Sequence, residues 1–290
     1  MLRYRRLITA LFGLALLSLT APARAEPSWW RVSDGRSEVW ILGAPRIVPR
    51  DLAWDTKTTE RRLSQVNMVI VGPRQVGMLK AATAIFSSLS TQPLETTLPP
   101  ALRQRFVAVR QSLGKPPERY ANWKPAAATK LLLDDFFQVD GLQQGGIESS
   151  VVKLAHSHGV RDVPAGAFDP EAVIDQAKAL GPAGQLTCLD ASVHDIERGA
   201  GVVRAVADGW ARGEVDDLPI DRIDRACVET IPAIDAQAQR TLVQEAAAVA
   251  QALTAPGHAI AVFELHNMTQ PGGVVDRLRA RGLQVTGPTS

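Results

Sequence analysis

The chain has 290 residues, 46% of them apolar, which is enough for a substantial core, and a formal net charge of +2. The positive excess sits in the first 25 residues, which hold four arginines and no acids; past them 28 Lys+Arg face 30 Asp+Glu, a balance of −2. A nearly neutral surface argues against a nucleic-acid partner and against adhesion to anionic lipid.

Arg3, Arg5 and Arg6 precede an apolar run from Leu7 to Leu19, and Ala23-Arg24-Ala25 supplies the small residues a signal peptidase reads. The run is short for a membrane span. Cleavage after Ala25 is therefore expected, leaving residues 26–290 as one periplasmic or secreted domain with no stable membrane insertion. Cys188 and Cys227 both lie in that part. In an oxidising compartment an even pair reads as a disulfide, the alternative being two buried free thiols. Without a neighbouring histidine pattern they do not make a zinc site.

In chain order, Glu38–Leu42 reads as a strand ending at Gly43, with β-branched Val39 and Ile41 around Trp40. Thr58–Gln65 reads as a polar helix. Val66–Val71 is an apolar run ending at Gly72, the pattern of a strand buried on both faces. A helix is expected over Met78–Leu89, and a proline-rich loop over Thr91–Pro100. Pro99-Pro100 opens a helix to about Leu113, and another follows over 125–138. After Gly145-Gly146, Ile147, Val151, Leu154 and Ala155 recur at helical spacing up to Gly159. A short strand, Val160–Val163, and a helix begun by Asp169-Pro170 come next. The longest helical patterns cover 184–212 and 233–253. His258–Phe263 reads as a strand, Gly272–Arg281 as a helix and 282–286 as a last strand. Alternating strands and helices predict an α/β fold, a mixed sheet flanked by helices, with a helical insertion or cap in the middle of the chain.

Five stretches in order resemble one known family. They are Trp30–Gly35 with the strand into Gly43-Ala44-Pro45-Arg46; Val69-Ile70-Val71-Gly72; Gly146-Ile147-Glu148 through to Pro164-Ala165-Gly166; Trp210-Ala211-Arg212-Gly213-Glu214; and Ala261–His266 followed by Gly273-Val274 and Leu278–Gly282. This arrangement is similar to the TraB/GumN family, which includes the Tiki-type metalloproteases. The resemblance implies two Gly-x-x-His motifs and two glutamates at the carboxyl ends of strands, where α/β sheets gather ligand sites. Such side chains hold a divalent ion and activate water.

The implied ligands are replaced. Arg46 stands at the first histidine position, Gly72 and Gly166 at the two glutamate positions, and Asn267 at the second histidine position, with His266 one residue before it. A one-residue bulge is the route by which His266 would return to the site. Glycine offers no side-chain ligand, and a guanidinium has no lone pair to give. A unit charge pair at about 4 Å is worth about 4 kcal/mol at an effective dielectric near 20, and a dication facing Arg46 would feel roughly twice that as repulsion. The expectation is a decayed metallohydrolase without a metal, leaning away from enzyme function: a pseudoenzyme that binds or regulates in the cell envelope.

Several further readings follow from single residues. Arg46 in a vacated pocket would hold a carboxylate or phosphate; alternatively it pairs with a surface acid. Glu264 and His266, two apart on an expected strand, would share a face and form a residual acid/base couple for a rearranged hydrolase; alternatively Glu264 pairs with an arginine. His156 and His158 near a helix end, His194 beside Asp195, and His258 at a strand start read as structural. The serines lack a nucleophile elbow, and Trp29, Trp30, Trp40, Trp123 and Trp210 read as packing anchors. A protein, peptide or glycan partner, including envelope polysaccharide machinery, is the partner class left open.

Overall fold

The computed structural model describes residues 26–77, 88–215, 225–255 and 257–289. The leader expected over residues 1–25 lies outside these residues, as does nearly all of the helix expected over Met78–Leu89. Leu89 itself forms an isolated antiparallel bridge with Trp123.

Strands β1 (Trp29–Ser33) and β2 (Glu38–Ala44) form a hairpin. Asp34 closes its turn by accepting the Arg36 and Ser37 amides at 2.9 and 2.8 Å, with Gly35 in the left-handed region between them. There follow β3 (Ile47–Pro49), α1 (Lys57–Leu63), β4 (Met68–Val71) and β5 (Arg74–Gln75). A helical stretch comes next: α2 (Leu94–Thr97), α3 (Pro100–Ser112), α4 (Glu118–Ala121) and α5 (Pro125–Val139). Then come β6 (Leu142–Gln144), α6 (Gly146–Ser157), β7 (Arg161–Pro164), β8 (Ala167–Phe168), α7 (Glu171–Ala179), α8 (Pro182–Glu197), α9 (Gly201–Ala211) and α10 (Arg225–Thr230). The chain ends with α11 (Pro232–Ala252), β9 (His258–Glu264), α12 (Leu265–Thr269), α13 (Val274–Ala280) and β10 (Gln284–Thr289). Prolines open α3, α5, α8 and α11, at the helix position that tolerates the missing N–H.

The main sheet has six strands in the order β10-β1-β2-β9-β4-β7. β1 runs antiparallel to β10 and β2, while β2, β9, β4 and β7 are mutually parallel. The fold is thus α/β with a mixed sheet. The last long strand, β9, slots between β2 and β4, and its residues Ala259–Phe263 are at most 4% exposed. That fits a parallel strand covered on both faces by helices. β2 and β9 stay in register to their ends, where Ala44 faces Glu264.

Two departures from the sequence reading have local causes. The helical pattern over 184–212 is two helices, because Gly199 takes φ +73° between α8 and α9. The proline-rich loop before Pro100 contains the single-turn α2.

One apolar core holds the sheet against α1, α6, α11 and α13; a second lies among α3, α5 and α8. Within the second, Asp135 is 2% exposed yet receives hydrogen bonds from Arg119 and from the Tyr120 hydroxyl, with Lys115 Nζ at 3.3 Å. Burial alone would push its carboxyl up; those partners outweigh burial and hold it below the ordinary range. Cys188 and Cys227 are disulfide-bonded, joining α8 to α10 just before α11. Among the described residues no helix is long and apolar enough to cross a membrane.

Candidate functional site

The parallel strands end together, β2 at Ala44, β9 at Glu264 and β4 at Val71. Beyond those ends lies a cavity of about 410 Å³, the position where α/β sheets usually receive ligands. Each element brings one side chain of consequence. Arg46 comes from the turn after β2, Glu148 from the first turn of α6, Glu245 from α11, Glu264 from the tip of β9 and Asn267 from α12; Gly72 follows β4.

Glu245 is the least solvated acid of the site, at 2% exposed. It falls on the inward stripe of α11 with Leu242, Ala246 and Val249, the i, i+3, i+4, i+7 spacing of a buried helix face. Asn267 Nδ2 donates to its two oxygens at 3.3 and 3.2 Å. Burial pushes its carboxyl up to about 8, and Glu264 and Glu148 add to the rise against the pull of Asn267. Glu148 is also pushed up by burial, opposed by the Gly72 amide, which donates to Oε2 at 3.2 Å. Glu264 and Arg46 are each about half exposed and meet at 3.8 Å from Nε to Oε1, an ion pair too long for a hydrogen bond.

The residues singled out from the sequence separate into groups. Arg46, Gly72, Glu264 and Asn267 line the cavity. Gly43 does not. It lies beneath the Trp30 ring, where an added Cβ would approach Cζ3 to 2.7 Å, and its carbonyl accepts from Trp210 Nε1 at 2.6 Å. Gly166 faces the Gln244 side chain, 2.7 Å from where a Cβ would sit. The reading of Glu264 and His266 as neighbours on one strand face is corrected: β9 ends at Glu264, which caps α12, and His266 is helical. Nor does a bulge restore His266, since the β2–β9 register is unbroken to Glu264. Asn267 reaches into the larger cavity, while His266 lines a smaller one beside it. His156 Nε2 lies 2.8 Å from Asp162. His194 is exposed, whereas its neighbour Asp195 lines the smaller cavity. Trp29, Trp30 and Trp210 are at most 3% exposed.

The model of the TraB/PrgY/gumN family matches residues 28–287, nearly the whole described chain. The chain belongs to the TraB/PrgY/gumN family. No curated protein and no solved structure matches it. For a TraB/PrgY/gumN protein, the test posed by the sequence is whether this cavity suits a divalent metal. The donor set does not fit. Gly72 and Gly166 bring no ligand, and Arg46 is the only cationic side chain among the described residues that line the cavity. Asn267 stands in place of the second implied histidine, and its Nδ2 donates to Glu245. Among the described residues no three His, Cys, Asp or Glu side chains converge to hold an ion.

Proposed function

We propose that this TraB/PrgY/gumN protein is an exported binding module that does not hydrolyse its ligand, and that its ligand site is the cavity at the carboxyl ends of β2, β4 and β9. Export is supported by the leader-like N-terminus together with the Cys188–Cys227 disulfide. Loss of hydrolysis is supported above all by Arg46. It replaces the first implied histidine, and its guanidinium lies 3.8 Å from Glu264 on the cavity wall. A guanidinium, which has no lone pair to give a metal, therefore stands on the cavity wall where the resemblance implies a metal-binding group.

The cavity's carboxylates also argue against the alternative of a carboxylate or phosphate held by Arg46. An anion beside Arg46 would face Glu264 and have Glu148 and Glu245 on the same wall.

The test is the melting temperature of the purified protein with excess Mn²⁺, Co²⁺ or Zn²⁺, against EDTA. A metal bound at 100 times its dissociation constant would add about 2.7 kcal/mol of stability, or roughly 5–10 °C for a chain of this size. The binding-module reading predicts no shift. A shift that disappears in Glu148→Ala would overturn it.

A further inference from the structure

A second cavity, of about 150 Å³, shares the wall formed by Arg46, Ala238, Glu264 and Asn267. Its character is different. Val202, Val203 and Val206 from α9, with Phe136 from α5 and Leu265 from α12, give it an apolar lining. The three valines are only half-buried, so α9 presents them to this space without fully covering them.

Resting on the reading of the larger cavity as a ligand site, we infer that the two cavities together bind a primary alkylammonium compound, its chain among Val202, Val206 and Phe136 and its ammonium at Glu264. Charge complementarity selects the cation. Glu148 and Glu264 line the larger cavity against one guanidinium, Arg46, while the Glu245 carboxyl there is held toward its neutral form by burial. The smaller cavity adds Asp195 and Asp235 against Arg198. An ammonium has three donors and no acceptor, so it complements carboxylates that themselves only accept.

Glu264 is the carboxylate common to both cavities, and its present partner is easily displaced. The Arg46 contact is too long for a hydrogen bond, and both side chains are about half exposed. Pairs of that kind contribute little. Arg46 thus swings toward solvent as the ammonium arrives. The aliphatic chain then removes water from the valine face, which supplies the non-directional part of the affinity.

The test is isothermal titration calorimetry of the purified protein with the ammonium series from butyl to octyl, and with the alcohols and carboxylates of matching length. Each methylene that enters the apolar cavity should tighten ammonium binding about fourfold. The matched alcohols should bind at least about tenfold more weakly, and Glu264→Gln should cost the ammonium a similar factor. Arg46→Ala should leave ammonium binding unchanged or tighter. Val206→Ser should flatten the dependence on chain length, which gives a second reading if Glu264→Gln fails to fold. Equal binding of alcohols, absence of ammonium binding, or binding indifferent to both Glu264→Gln and Val206→Ser would overturn the inference. Carboxylates that bind better, and lose binding in Arg46→Ala, would overturn it while leaving the binding-module reading standing. Metal-dependent stabilisation would overturn that underlying reading instead.

Discussion

Glu245→Gln separates a buried acid from an ordinary structural one. In the folded chain burial, then the neighbouring Glu264 and Glu148, push the Glu245 carboxyl up to about 8 from an ordinary 4.5. Between those values the unfolded chain has released its proton while the folded chain keeps it. The unfolding free energy therefore falls as pH rises, by about 1.4 kcal/mol per pH unit from this group. The accumulated cost is about 1 kcal/mol at pH 5 and about 4 kcal/mol at pH 8. Glutamine keeps the shape, offers a neutral amide to Asn267 and removes the titration. Urea unfolding of both proteins from pH 5 to pH 8.5 should show the variant more stable at high pH. The gap between them should widen by about 3 kcal/mol from pH 5 to pH 8. A gap that stays constant with pH, or a variant weaker than the parent at pH 8, would refute the reasoning. Asp135 provides the contrast: its partners hold it below the ordinary range. Asp135→Asn should lose stability most at neutral pH, the opposite sign.

Three further outcomes test the packing that positions the site. Gly43→Ala places a methyl 2.7 Å from Trp30 Cζ3 and 3.0 Å from Leu265 Cδ1, both buried, so overpacking should cost about 1–3 kcal/mol in thermal or urea unfolding. Trp210→Phe removes the donor to the Gly43 carbonyl and should cost about 1–3 kcal/mol, read from the shift in the urea midpoint. Cys188→Ser opens a closed loop spanning 39 residues of separation and should cost about 4 kcal/mol on the chain-entropy account; two free thiols titrated in the denatured parent would contradict the bond itself.

The strands that frame the site were legible because they are buried on both faces. Val69–Val71 and Ala259–Phe263 read as continuous apolar runs, which only a covered parallel strand requires. The stretch 184–212 was legible as helix but not as two helices, since Gly199 bends a pattern that otherwise continues through Val202 and Val206. The site itself was half visible. Arg46, Gly72 and Asn267 stood out because the family resemblance fixes their positions. Glu245 did not, although a signal existed: an acid in the stripe Leu242, Glu245, Ala246, Val249 breaks the polarity of a buried helix face. Glu148 was visible only as a helix-opening acid; its contact with the Gly72 amide joins residues 76 apart in sequence. The placement of Glu264 and His266 on one strand face failed for a local reason. A strand turned into a helix between them, and the period-two rule stops where the strand does.

The central claim is that Arg46, Gly72 and Asn267 leave this TraB/PrgY/gumN protein a ligand cavity without a metal centre. Its most direct test is elemental analysis of the protein purified without chelators, after incubation with Mn²⁺, Co²⁺ and Zn²⁺ and removal of free ions. The account predicts metal far below one equivalent, unchanged in Glu148→Ala and Glu264→Ala. About one equivalent in the parent, lost in either variant, would contradict it.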